Sequence, residues 1–327
     1  MKNIKKLPLI LSILSLFTIF SPAKADIKVV ASIKPIHSLA SYLMDGVGKP
    51  DLIVDGYASP HGFAMKPSHA KMLQNADLIF WVGEDLENFL EKPLKSIAKK
   101  AEKIELMEIK GLTKLDFRER NIFESHDDHK EHGHKEDKHD DHKEHGHKED
   151  KHDDHHGHAH GEHDPHIWLD PMNAKVILSE MAEHLIENDQ ENASKYKANL
   201  KKAHKALDNL TKKVKSELKG DFKSIVFHDA YQYFEKRFDV NVLGAFTVNT
   251  DVLPGAEQLA EIREVIEHEK VTCVFSEPQF NPDIIKAVAK DTNIKTGVID
   301  PLGATLDPGK DLYFDLIRNM YASFKSC

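Results

Sequence analysis

The sequence predicts an α/β protein of two lobes, each with a mainly parallel four-stranded sheet flanked by helices, joined by one long rigid helix. Three observations carry this expectation. A chain of 327 residues is too long for one small core, which favours two domains. Short runs rich in Val, Ile and Leu alternate with helical stretches in both halves, the pattern of βαβ units in a sheet covered on both faces. One helical stretch near the middle is far longer than the others.

Taken in order, residues 1–25 form a basic start at Lys2, Lys5 and Lys6, an apolar run from Leu7 to Phe20, and the small-residue pattern Ala23-Lys24-Ala25. This is the pattern of a secretory signal peptide, with the mature chain expected to start at Asp26. A membrane anchor is the alternative, but the run is short for a span of about 20 residues. No cysteine follows it, so a lipid anchor is not expected. The N-terminal lobe, 26–190, opens with the strand IKVVAS and a helix from Pro35 to Asp45 carrying Ile36, Leu39, Leu43 and Met44. The strand DLIVDG, the helix PSHAKMLQNA and the strands DLIFWVG and KIELME follow. Asn173 to Glu187 carries Val176, Ile177, Met181, Leu185 and Ile186 at helical spacing.

The linking helix occupies 191–219, with Leu200, Ala203, Leu207, Leu210 and Val214 as its apolar stripe and Gly220 as its stop. At about 1.5 Å per residue it spans a whole domain, a rigid spine between two lobes. The C-terminal lobe, 220–327, repeats the alternation with strands SIVFH, VNVLGAF, VTCVFSE and KTGVID. Pro254-Gly255 and Asn281-Pro282 stand where two of its helices should start. Cys273 lies in one of these strands and Cys327 is the last residue. Two cysteines in an oxidising compartment suggest one bridge, against the alternative of two free thiols.

Within the first lobe, 124–163 is a low-complexity insert in which HDDHKEHGHKEDK occurs twice in tandem and a third time in altered form. It carries fourteen of the 22 histidines: His126, His129, His132, His134, His139, His142, His145, His147, His152, His155, His156, His158, His160 and His163. With almost no apolar residues it cannot offset its ordering entropy, and disorder without metal is expected. Its spacing H-x2-H-x2-H-x-H lets several imidazoles meet one ion, so weak, exchangeable secondary metal sites are expected. The alternative is a solvating linker. A net charge of −9 argues against nucleic acid or an anionic membrane surface as partner and for a cationic ligand.

Sites in open parallel sheets lie outside the carboxyl ends of the strands. That rule selects His228, which ends SIVFH; His61, in the loop after DLIVDG; His166, in DPHIWLDP; and Asp300, which ends KTGVID. Three imidazoles and a carboxylate suit Zn2+, whereas Mn2+ favours more oxygen ligands. Spacing alone makes this a weak signal, since a lone histidine is more often a core or surface residue. His37 is expected in helix-start packing, His69 at a solvated helix position, and His184, His204 and His268 on charged helical faces.

The segments PHGFAMKPSHAKML, DPHIWLDP, FHDAYQYFEKRF, LPGAEQLAEIREVIEHEKVTCVFSEPQF and IDPLGA together resemble the zinc branch of the cluster A-I metal-binding proteins of ABC importers, over essentially the whole mature chain. The resemblance implies a periplasmic zinc receptor with metal in the cleft between the lobes, delivering Zn2+ to a membrane permease and its ATPase. It implies His61, His166 and His228 as ligands, and the histidine at 228, where the manganese branch has glutamate, favours zinc. Asp300 matches a carboxylate that the manganese branch uses. Pro60 departs from the glutamate some zinc-branch members place before the first histidine, which leaves the fourth position to water, Asp300 or a histidine of the insert. The expectation is a monomeric, exported, non-enzymatic protein without stable membrane insertion. A zinc storage or buffering protein and a zinc hydrolase are the competing readings, the latter because three histidines plus water is also a catalytic set.

Overall fold

The structure is a computed structural model that describes residues 27–118, 120–122, 161–220, 222–248, 250, 252–292 and 294–327. The expected signal peptide and all of the histidine-rich insert before Gly161 lie outside the described residues. Among the described residues no helix is long and apolar enough to cross a membrane.

Four strands form the first sheet: β1 (Val29–Ile33), β2 (Asp51–Val54), β3 (Leu78–Trp81) and β4 (Glu102–Glu105), in the order β2-β1-β3-β4. The second sheet repeats that order with β5 (Lys223–His228), β6 (Asn241–Thr247), β7 (Cys273–Ser276) and β8 (Lys295–Val298), as β6-β5-β7-β8. Every pairing is parallel. In each sheet the chain turns first to one side of the opening strand and then to the other, so each has a crevice at its strand ends where ligands settle.

The helices of the first half are α1 (Lys34–Leu43), α2 (Pro67–Asn75), α3 (Glu84–Ser96) and α4 (Pro171–Asn188). α3 was not among the predicted elements. Pro93 lies inside it and Glu87 breaks the helical backbone at φ −122°, ψ 50°, which masks a stripe of Leu86, Leu90 and Leu94. The spine α5 (Ala193–Glu217) has 25 residues, and buries Tyr196, Ala203, Leu207, Leu210 and Val214. α6 (Gln232–Phe238), α7 (Ala256–His268), α8 (Asp283–Thr292) and α9 (Leu312–Ser326) complete the second half.

Period-two alternation divides the second sheet cleanly. Ile225 and Phe227 of β5 and Val274 of β7 face an outer core with Ile262 and Ile266 of α7 and Ile285 and Val288 of α8. Val226, Cys273 and Phe275 face the other way, into a core continuous with the first lobe, and His228 shares their side of the sheet. Cys273 and Cys327 form a disulfide that ties α9 to this sheet.

Polar links reinforce the shared core. The buried Lys34 ammonium donates to the carbonyls of Gly303 (3.2 Å), Ala304 (3.0 Å) and Leu306 (2.8 Å) across the lobes. Trp168 Nε1 donates to Pro301 O (2.8 Å), and the Tyr313 hydroxyl donates to Trp168 O (2.6 Å). Arg237 of α6 forks onto Asp170, the N-cap of α4, with both contacts at 2.6 Å.

At the crevice of the first sheet sits Glu87, fully buried, taking the amides of Val82 (2.7 Å) and Gly83 (3.1 Å). Burial pushes its carboxyl up to about 7, although Ser32 and these amides pull the other way. A carboxyl raised in the folded state stabilises fully below its unfolded pKa and loses that contribution as pH rises through about 7. Glu87→Gln should therefore flatten the pH dependence of stability, changing the difference from the parent chain by roughly 3 kcal/mol between pH 4.5 and 7.5. Urea unfolding of the metal-free chain across that range checks it, and an unchanged difference would contradict the assignment.

Candidate metal centre

β5 and β7 are neighbours, and the register that pairs Ser224 with Cys273 runs on to bring His228 level with Glu277. His228 Nδ1 lies 2.7 Å from Glu277 Oε1, and both residues are buried. The Tyr231 hydroxyl faces the same carboxylate. His166 opens the 3-10 turn Ile167–Leu169, and its ring is turned by Asp164, whose Oδ1 lies 2.7 Å from Nδ1 and accepts from the His166 amide at 2.9 Å. His61 stands in the loop between β2 and α2, half-buried, with its amide donating to Ser59 Oγ at 3.3 Å.

These three histidines, remote in sequence, come together. Each offers a ring nitrogen, and the three atoms lie within 4.8 Å of one another. Ring centroids are 5.5, 5.7 and 5.2 Å apart for His61–His166, His61–His228 and His166–His228. They line a small cavity with Trp168, Gln279 and Phe280.

The electrostatics favour a cation here. An ionised carboxylate only accepts, so Asp164 and Glu277 fix the proton of each imidazole on Nδ1 and leave the Nε2 lone pair free. The two lone pairs of His166 and His228 then face each other at 3.4 Å, an arrangement that needs a proton or a metal ion between them. Burial and the neighbouring His228 lower His166 well below the usual imidazole range, which keeps it neutral and ready to ligate. Burial also opposes charge on His228, but the carboxylates of Glu277, Asp229 and Asp164 together raise the group. Burial pushes Asp164 up to about 7, and a bound cation would draw it back down.

Behind the imidazoles lies a buried acidic layer neutralised by Arg118. Its guanidinium donates to Asp229 Oδ1 (2.9 Å) and to Glu235 Oε1 and Oε2 (3.1 and 2.8 Å). Burial pushes Asp229 and Glu235 up to about 7, against the pull of Arg118. Arg118 precedes the insert, and the segment goes on to dock against the second lobe: Asn121 bonds Ala245 and Phe246, and Ile122 bridges to Gly244. A Cβ on Gly244 would stand 2.6 Å from Asn121 O, so only glycine admits this approach. The end of the insert docks on the first lobe, with Gly161 N donating to Asp85 at 2.7 Å and His163 beside Asp116 at 3.0 Å.

Asp300 stands apart from the three histidines. Its carboxylate accepts from Gln279 Nε2 (2.8 Å) and from the amides of Leu302 (3.0 Å), Gly303 (3.0 Å) and Ala304 (2.6 Å), holding the turn after β8. The other histidines of the insert, His126 to His160, lie outside the described residues. His69 is not solvated as expected: it is buried, its Nδ1 accepts from the Lys66 amide at 3.2 Å, and it stacks on Phe63. His37 packs at the start of α1 with Nε2 3.1 Å from Pro50 O. His184 joins Glu102 and Glu187 in a second convergent group on the surface, where ion pairs to Glu102 and Glu180 account for it. Asp164 and Glu277 were not singled out in the sequence. Asp164 stands two residues before His166, and Glu277 one residue beyond a strand end.

Two parallel-sheet lobes with imidazoles converging between them define a class of protein: a two-lobed binding protein whose site suits an ion. The chain matches the family described as ZnuA, zinc-uptake complex component A periplasmic, over residues 29–327. It is 47% identical over 335 residues to a high-affinity zinc uptake system protein ZnuA of Brucella abortus, covering 100% of this chain and 99% of that protein. It is 38% identical over 308 residues to the protein of that name in Yersinia pestis, covering 93% and 92% of the two chains. Among solved structures, a crystal structure of ZnuA superposes with a TM-score of 0.70 at 21% identity, covering 91% of this chain and 99% of that one. A ZnuA 138–173 deletion mutant with zinc bound superposes with a TM-score of 0.67 at 22% identity, covering 91% and 98%. The chain belongs to this ZnuA family of periplasmic zinc-uptake proteins.

Removing the cation from the acidic layer would leave two buried carboxylates without a partner. Arg118→Met should cost about 3–5 kcal/mol in urea unfolding, with Arg118→Lys recovering only part because lysine cannot fork. A cost under about 1 kcal/mol would mean that the layer does not depend on this residue.

Proposed function

We propose that this chain captures Zn2+ in the periplasm through His61, His166 and His228 and hands it to an ABC importer, a membrane permease driven by an ATPase. The observation that carries the reading is the convergence of three ring nitrogens within 4.8 Å, two of them on buried imidazoles that carboxylates hold by Nδ1. Three ring nitrogens suit the borderline-soft, tetrahedral preference of zinc, and the carboxylates behind His166 and His228 fix the direction of those two rings. Family membership supports the same cargo. His61, half-buried on a loop, is the ligand most accessible to solvent.

The reading as a zinc hydrolase draws less support. The cavity is small for an organic substrate, and Asp164 and Glu277, the two carboxylates nearest the imidazoles, are both engaged on Nδ1. The histidines of the insert add a proposed set of weaker, exchangeable sites. Without a preformed frame, binding there must also supply the ordering entropy.

Zinc affinity measured by chelator competition tests the assignment. His61→Ala, His166→Ala and His228→Ala should each abolish the tightest site, whereas deletion of 125–162 should remove only weaker sites. If His61→Ala kept the tightest site, the receptor reading would fail; if deletion of 125–162 removed it, the storage reading would gain. Glu277→Gln should weaken binding about 10- to 100-fold by freeing the His228 ring.

Binding needs unprotonated Nε2 atoms, and His228 is the raised imidazole of the buried pair, so the affinity of the parent chain should fall as the pH drops from 7 to 5 and a proton competes there. Isothermal titration at several pH values reads this directly, and an affinity independent of pH between 7 and 5 would contradict ligation by imidazole.

A further inference from the structure

The fourth position of a tetrahedral ion at the three imidazoles needs an oxygen or nitrogen from elsewhere. Asp300 is already the acceptor of four donors and lies outside the convergent group. One of those donors is the side-chain amide of Gln279, a residue that lines the same cavity as the three histidines.

The Asp300 carboxylate decides which way that amide points. An ionised carboxylate cannot donate, so the group 2.8 Å from Asp300 Oδ1 is the NH2 of Gln279. Its Oε1 therefore occupies the opposite branch. That oxygen is buried and has no hydrogen-bond partner among the described residues. A buried acceptor left unmatched carries a cost that folded proteins rarely leave in place without a use.

We infer that Gln279 Oε1 is the acceptor that holds a zinc-bound water in the fourth position, with Asp300 acting through Gln279 as a positioning residue and not as a ligand. The inference rests on the three-imidazole reading above. A water on Zn2+ is a strengthened donor, and an amide oxygen of fixed direction is a matching acceptor that adds no charge beside the Asp164 and Glu277 carboxylates. An amide oxygen can hold the water without itself displacing a histidine. Gln279 thereby becomes a determinant of coordination geometry, and so of preference for a tetrahedral ion over those that demand more oxygen ligands.

The test uses the full chain loaded with one equivalent of Co2+, which fills the tightest site first and reports its geometry by visible absorption, alongside Zn2+ competition. Gln279→Leu should change the Co2+ absorption band and weaken Zn2+ binding about tenfold, while the thermal midpoint of the metal-free chain stays within a degree or two. Gln279→Met, which keeps the length and lacks the amide, gives the same reading if the leucine variant does not fold. Asp300→Asn removes the constraint on the amide, so it should reproduce the spectral change and should not add to it in the double variant. An unaltered band and affinity in both Gln279 variants would overturn the inference. An additive loss from Asp300→Asn would overturn it too, because Asp300 would then act by itself. His61→Ala is the control for the underlying reading: if it leaves the band intact, the three-imidazole site fails, whatever the Gln279 variants show.

Discussion

Two buried imidazoles whose Nε2 lone pairs point at each other across 3.4 Å are a poor arrangement for a protein that holds nothing between them. The surrounding structure exists to make that arrangement persist. Carboxylates on the far side of each ring fix its tautomer and direction, and burial keeps the His166 ring neutral. The carboxylates are themselves buried, and the acidic layer behind them depends on Arg118. A site for a cation is thus built from the outside inwards, with each shell correcting the charge of the one it supports.

Strand geometry supplies the precision. His228 and Glu277 end up side by side because β5 and β7 pair in a register that runs straight into both residues. Both point to the inner face because the side-chain period of a strand is two. The first lobe uses its corresponding crevice differently. There Glu87 takes the amides of Val82 and Gly83, and the histidine that joins the convergent group, His61, stands in the long loop after β2. Two sheets of the same order therefore contribute unequally: one places the proposed ligand His228 at a strand end, the other the proposed ligand His61 in a loop.

Much of this was legible from residue order, for identifiable reasons. The inner strands β1, β3, β5 and β7 announce themselves as apolar runs because both of their faces are covered, and His61, His166 and His228 stand at strand ends or in loops where such sheets bind ligands. What was not legible depends on neighbours in space. Which strand lies beside β5 is a matter of topology, so Glu277 looked like any acidic residue after a strand. Asp300 was expected near the site because it ends β8, and nothing in the residue order showed that the amides of Leu302, Gly303 and Ala304 fold back onto its carboxylate. His69 looked solvated in a polar helix, and only packing against Phe63 shows otherwise. α3 was hidden by Pro93, which reads as a helix breaker, and by the non-helical backbone at Glu87.

The continuous core has a consequence for how the molecule can be taken apart. Residues of α1, α4, α5, α6 and α9 belong to one apolar cluster that runs through both lobes. Cutting the chain on either side of α5 would strip that cluster open, and Lys34, Trp168 and Arg237 would lose partners that lie in the other half. Either half taken alone would expose the apolar surface that this cluster buries. The lobes are two in outline but share one apolar cluster, so loosening either exposes surface that the other buries.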